Sequence, residues 1–446
     1  MADIEQQKPW AEKTADEKLD YRLQAWLNPP VTFASPEAAE AYQARVRRLA
    51  DAILLEKTPD RVPVPLLTAE VYPAVWGGLT PYDAMYDYDR ASKAFIDFNV
   101  EFQPDAMVPP GGGGPMPGRV LDLLDHRVFS WPGHGAPKEL GLQCIDRAWM
   151  DAEEYDDFIS DPTDFLTRRL LPRVCGGLQG LARLGCVLDR AGYFASWADP
   201  DVLESLERLV AVGKETTAWF HKLVPTLDRL QGLGFPPYVG AICLAPFDFL
   251  GNDLRGTKEL ALDLYRRPEK VIDACNHLVP MIVRSVMGCT RPNMPPCVFW
   301  PLHRGADALM SLDQFKTFYW PSLRAVALAL IDEGFIPVFF GEGSLDSRLE
   351  IIASDLPRGR TVWLLDRTDM ALAKATLGKV AAIQGNVPLS LLQFGTPEAV
   401  RAYCRALIEV AGPGGGFLLD SGAALHEARA ENVRAMIQAA QDYGVY

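Results

Sequence analysis

The sequence has no basic run, no paired cysteines, no long apolar stretch and no phosphate-binding motif, and each absence removes a class of function. Its 44 lysines and arginines are outnumbered by 58 aspartates and glutamates, a formal net charge of −14. Nucleic acids and anionic membranes are held by clustered Lys and Arg, so neither is an expected partner. Eight cysteines are scattered along the chain without a C-x-x-C pair. Most sit inside apolar runs, as buried free thiols do, which points to a reducing compartment. No uninterrupted apolar run approaches the ~18 residues that a membrane span needs. Met1 to Lys8 shows neither the basic nor the apolar region of a signal peptide. A soluble, cytoplasmic protein is the expectation. The glycine cluster between Pro110 and Gly118 lacks the Gly-Lys-Ser/Thr of a P-loop and reads as a flexible loop at a strand end, a connector or a lid.

What is present is ample apolar material, 48% of the residues, enough for a large core. Residues 1–60 read as a helical extension: a polar, loosely attached arm to about residue 30, then a helix opened by Ser35-Pro36, cap plus proline. From residue 61 short apolar runs alternate with helical patterns. Strands are expected at about 62, 105, 239, 298, 336, 362, 381 and 417, each followed by a helix. Eight βα units with right-handed crossovers close more naturally into a barrel than into an open sheet. The expected fold is therefore an α/β, (β/α)8 TIM barrel over 61–446. A helical insertion at about 119–235 reads as a cap or a dimerisation layer, and a homodimer is expected.

In such a barrel the residues just past each strand share one pocket. The run Phe335–Phe340 ends abruptly in Gly341-Glu342-Gly343, which delivers one carboxylate to the sheet edge between glycines that let the backbone turn. Glu342 is the first candidate for chemistry. His303 is the only one of six histidines directly after a clear strand; with Glu342 and Asp366 it makes the expected catalytic set, a switchable group among carboxylates. Arg304, Asn386, Gln384, Glu70, Asp248 and Asp420 fall at other strand ends and are the expected substrate-binding groups. Asp307 and Asp369 read as helix caps as readily as pocket residues. Any metal would fall to Glu342 and His303.

The C-terminal half carries a recognisable pattern. Asp369-Met-Ala-Leu-Ala-Lys374, Gly378, Gly385-Asn386-Val387, Gly395-Thr396-Pro397-Glu398, Gly415-Gly416-Phe417-Leu418-Leu419 and Glu431-Asn432-Val433 together resemble the uroporphyrinogen decarboxylase (URO-D) superfamily. The resemblance is diffuse from about 60 and close over 296–446, and it independently implies a TIM barrel. The decarboxylase branch has an arginine-rich segment after the first strand and an aspartate after the second. Here the first reads Leu67-Thr-Ala-Glu-Val-Tyr72, without arginine, and the second falls near Gly112. The corrinoid-linked methyltransferase branch holds zinc through a His-x-Cys at the strand before Glu342 and a later Cys. Those places read Val338-Phe339-Phe340-Gly341 and Gly422-Ala423, so the usual zinc site is absent.

The resemblance implies an enzyme acting on a small organic molecule, with methyl or one-carbon transfer to a corrinoid on a partner protein as the first expectation. Cofactor-free decarboxylation or a lyase step is the second, with Arg304 holding an anionic substrate. A catalytically silent binding protein is the third.

Overall fold

The computed structural model describes residues 8–111 and 117–446; most of the glycine-rich loop, and with it the position near Gly112, lies outside the described residues. Among the described residues nine strands form two sheets. β1 (Phe129–Pro132), β2 (Gly135–Ala136) and β3 (Gln143–Cys144) make a small sheet in the order β2-β1-β3. β4 (Val239–Ile242), β5 (Cys297–Leu302), β6 (Ile336–Gly341), β7 (Val362–Leu365), β8 (Ala382–Gly385) and β9 (Phe417–Leu418) follow one another in a six-stranded sheet. All its pairs are parallel. Parallel neighbours need crossover helices, which cover the outside and explain why these strands read as apolar runs rather than alternations.

The architecture is that of a TIM barrel, with its first two strands reduced. Residues 62–66 and 105–108 form no ladder. Pro63 and Pro65 have no N–H to give, and the Val64 N–H is taken by the Asp105 carboxylate at 2.7 Å. Single backbone bonds remain. Leu419 donates to Pro63 at 2.9 Å, Asp105 to Val64 at 2.9 Å, and Met107 to Pro236, just before β4, at 2.7 Å.

The N-terminal arm is not loosely attached. Its helix Ala15–Leu27 starts at a Thr14/Glu17 capping box, and Trp26 is 1% exposed, its indole N–H donating to the Pro237 carbonyl at 2.7 Å. With helix Pro36–Leu54 it packs Leu19, Trp26, Tyr42 and Leu49 against Cys297, Val338, Val362, Ala382 and Leu418, the inward residues low on the barrel strands. Alternate residues, among them Trp300, Phe339, Trp363 and Ile383, belong to the larger core under the outer helices. The two-residue period of a strand thus builds two cores, with the arm as the plug of the inner one.

Asp161, Asp199, Ser311 and Thr396 each cap the helix that follows. Within the helical insertion lies the small sheet at 129–144, whose glycine turns at Gly133 and Gly135 adopt positive φ. The remainder of the insertion culminates in the 33-residue helix Pro200–Gly232, which lies over the barrel opening. Among the described residues no helix is long and apolar enough to cross a membrane.

Candidate active site

The register of the large sheet sets the site. Leu302 pairs with Gly341, Gly341 with Leu365, and Leu365 with Gly385. The next residue on each strand is His303, Glu342, Asp366 and Asn386, so these four form one row across the C-terminal ends of β5 to β8. Two residues earlier on the same face stand Phe340, Leu364 and Gln384.

Within the row, His303 Nδ1 lies 3.2 Å from Glu342 Oε1 and 3.3 Å from Oε2. The pair is open to solvent, with 33% and 42% of the two side chains exposed. Burial works against charge on His303, but the hydrogen bond and charge of Glu342, joined by Asp248, outweigh it and raise its pKa above the ordinary value, while Arg304 pulls the other way. Asp366 accepts the Gly343 N–H at 3.0 Å. Burial raises its pKa, the Gly343 bond and Arg367 moderate this, and Glu342 adds to it. Gly343 adopts φ +77°, the left-handed turn that the glycine was expected to permit. Asp307 ties the turn down rather than facing a pocket, accepting the hydroxyls of Ser344 at 2.9 Å and Ser347 at 2.8 Å.

Beneath His303 lies a layer built on Asp248, expected as a substrate-binding group. Tyr319, Asn252 and Asp253 join it, and reading one residue past each strand did not anticipate them. Asp248 is fully buried; it accepts the His303 backbone N–H at 3.1 Å and the Tyr319 hydroxyl at 2.6 Å. Burial raises its pKa, against the pull of His303, Tyr319 and Arg304. Tyr319 comes from a π-turn, Phe315–Tyr319, and a second π-turn, Leu250–Arg255, brings Asn252 and Asp253 to the same place. Such turns recur at functional sites because they re-aim side chains. Asp253 is pushed up to about 6 by burial, moderated by Arg304 and His303.

The expectation that Arg304 holds an anionic substrate is not favoured by its geometry. Its guanidinium donates to Asn252 and, at 2.9 Å, to Thr257, and only 12% of the side chain is exposed. Gln384 and Asp420 are fully buried. Asp420 accepts four hydrogen bonds at 2.8 Å, from Leu67, Thr68, Gln384 and Ser421. Burial pushes it up to about 6, moderated by these donors. The pair joins the end of the first reduced strand to β8 and β9. Asn386 likewise donates to the carbonyls of Asp366 at 3.1 Å and Thr368 at 2.9 Å. Glu70 stands apart from the row and meets His426 Nε2 at 2.9 Å. His426 was overlooked because it lies six residues beyond Asp420, in the loop after β9.

A cavity of about 430 Å³ opens among these elements, in the size range of small-molecule sites. Phe299, Phe340, Leu364, Met107 and Tyr238 line it, and Leu223 and Leu227 of helix Pro200–Gly232 close it. Glu342 and Asp366 lie two residues beyond its lining residues Phe340 and Leu364, and His303 four beyond Phe299, all on the same strand faces. Zinc in the manner of the methyltransferase branch does not fit: Val338, Phe340, Gly422 and Ala423 offer no donor side chain. Among the described residues no three His, Cys, Asp or Glu side chains gather as a metal site.

No curated protein sequence matches the chain. Among solved structures, a methyltransferase from Methanosarcina mazei is similar with a TM-score of 0.56 at 16% identity, over 90% of this chain and 98% of that one, a likeness of fold. A B12-independent methionine synthase from Shewanella sp. W3-18-1, in complex with selenomethionine, gives a TM-score of 0.32 at 10% identity, over 45% of this chain and 59% of that one. The family model for uroporphyrinogen decarboxylase (URO-D) matches residues 207–443. That match spans more than half of the sequence, and the chain belongs to the URO-D family.

Proposed function

We propose that the protein is an enzyme that moves a methyl or similar one-carbon group from a small, largely apolar organic compound to a corrinoid carried by a partner protein. The observation that carries this is the His303–Glu342 pair, with Glu342 two residues beyond Phe340, which lines the 430 Å³ apolar cavity. When a carbon–heteroatom bond breaks, the heteroatom leaves with the electron pair and needs a proton. His303, kept charged by Glu342, supplies that proton from Nε2 and regains it from solvent. Asp248 and Tyr319 fix the backbone that aims the ring. The cavity holds the donor's apolar body away from water, and the corrinoid, when present, is the acceptor of the methyl group. The likeness in fold to the methyltransferase supports the reading. An anionic substrate for decarboxylation is less well served, because Arg304 is engaged and the strand ends carry Glu342 and Asp366.

The test is incubation of the purified protein with reduced cobalamin and methylated aryl ethers, thioethers and amines, following the visible spectrum. Methylation is expected from one donor class, with at least a tenfold loss in His303→Gln. If the folded wild-type protein methylates cobalamin from none of the three classes, the proposal fails.

A further inference from the structure

Across the barrel mouth from His303 is a second acid–histidine pair that the chemistry above does not use. Glu70 follows the first reduced strand, and its Oε2 meets His426 Nε2 at 2.9 Å. Among the described residues Glu70 is the only charged side chain lining the 430 Å³ cavity. Its Oε1 has no hydrogen-bond partner among the described residues. The backbone holds it there at φ 44°, ψ −114°, a conformation that side-chain-bearing residues rarely adopt and that clusters at ligand clamps. His426 serves one oxygen, and the side chain, 32% exposed, leaves the other open to a second donor.

We propose that Glu70 anchors the ligand of this cavity, and that the ligand is an apolar amine bound as its cation. The ammonium group pairs with Glu70, and the hydrocarbon body lies against Phe299 and Phe340. Those two rings are stacked with centroids 6.3 Å apart, and aromatic faces attract cations as well as apolar groups. The strand ends reinforce the sign of charge, since Glu342 and Asp366 follow the lining residues Phe340 and Leu364 by two positions. The nearby cations are engaged: Arg304 with Asn252 and Thr257, and Lys222 with Asp89 at 2.8 Å. The inference rests on the cavity being the substrate site and does not depend on the methyl-transfer step.

The experiment is calorimetric titration of the full chain with three probes of one shape: N,N-dimethylphenethylamine, the neutral phenethyl methyl ether, and 3-phenylpropanoate. The amine is expected to bind at least tenfold tighter than the ether, and the carboxylate weakest of the three. Glu70→Gln, which keeps the side-chain shape, is expected to lower the amine to the affinity of the ether. His303→Gln is expected to keep the amine preference, so failure of the methyl-transfer reading and failure of this one are read separately. An amine that binds no tighter than the ether to the wild-type protein overturns the inference. So does a preference that survives in Glu70→Gln, or absence of binding by all three probes at millimolar concentration.

Discussion

Replacing Glu342 by glutamine removes one charge and keeps the side-chain shape, and its effect on His303 can be worked out without knowing the substrate. At the 3.2 Å separation of the pair, two unit charges attract by about 1.3 kcal/mol in a water-like medium and by about 5 kcal/mol at an effective dielectric constant of 20. With 33% and 42% of the side chains exposed, the water-like limit applies, and measured open pairs are worth ~1 kcal/mol or less. That corresponds to roughly a fivefold change in proton affinity. The sign follows from the opposing influences on the ring. Burial disfavours the imidazolium, and Glu342 is the first of the groups that overcome it. Without Glu342 the titration midpoint of His303 must move to lower pH.

The assay is ring-nitrogen NMR, practical with only six histidines and with His303 assigned by its absence in His303→Gln. Linkage makes a second readout. Because the folded midpoint stands above the unfolded one, the pair's stabilisation is complete below the unfolded value of about 6.5 and is lost as pH rises through the folded value. Glu342→Gln is therefore expected to cost about 1 kcal/mol near pH 6 and little at pH 9. A midpoint that stays or rises in the variant refutes the reasoning and removes His303 as the proton donor.

Three further outcomes are expected. Trp26→Ala should destabilise the protein by about 3–5 kcal/mol in urea titrations, because it empties a buried site and leaves the Pro237 carbonyl unpaired; a cost below about 1 kcal/mol would mean that the arm is not the plug of the inner core. Asp420 carries its proton up to about pH 6 in the folded chain, against about 3.9 when unfolded. Wild-type stability relative to Asp420→Asn should thus fall by up to about 3 kcal/mol as pH rises from 4 to 6, and a flat difference would contradict its burial. Gly343→Ala should cost about 1–2 kcal/mol, since φ is +77° and the new Cβ would lie 3.1 Å from Ala306; unchanged stability by the same titration would show that the turn relaxes.

How much of the site the sequence announces depends on whether a residue's neighbours are local. The ends of β5 to β8 are legible because an apolar run stops at a polar residue, and His303, Glu342, Asp366 and Asn386 are those stops. That they share one row is a matter of register, set by the pairings of Leu302, Gly341, Leu365 and Gly385, and no single segment encodes it. The first two strands were legible as extended apolar runs. Their lack of a ladder comes from Pro63 and Pro65 together with a carboxylate 41 residues away, Asp105, that takes the Val64 N–H. Arg304 looked free because its partners come from elsewhere in the chain. Asn252 comes from a π-turn that has no apolar period to read, and Thr257 from the first turn of the helix after it. Gln384 and Asp420 looked like pocket groups because a polar residue at a strand end reads the same whether it faces a ligand or a neighbouring strand. Only the converging donors of Leu67, Thr68 and Ser421 decide between the two. By the same logic, Glu70 is a strand-end carboxylate met by one side chain, His426, and it lines the apolar cavity. A carboxylate held in a strained backbone with one donor and a free second oxygen is open to a ligand.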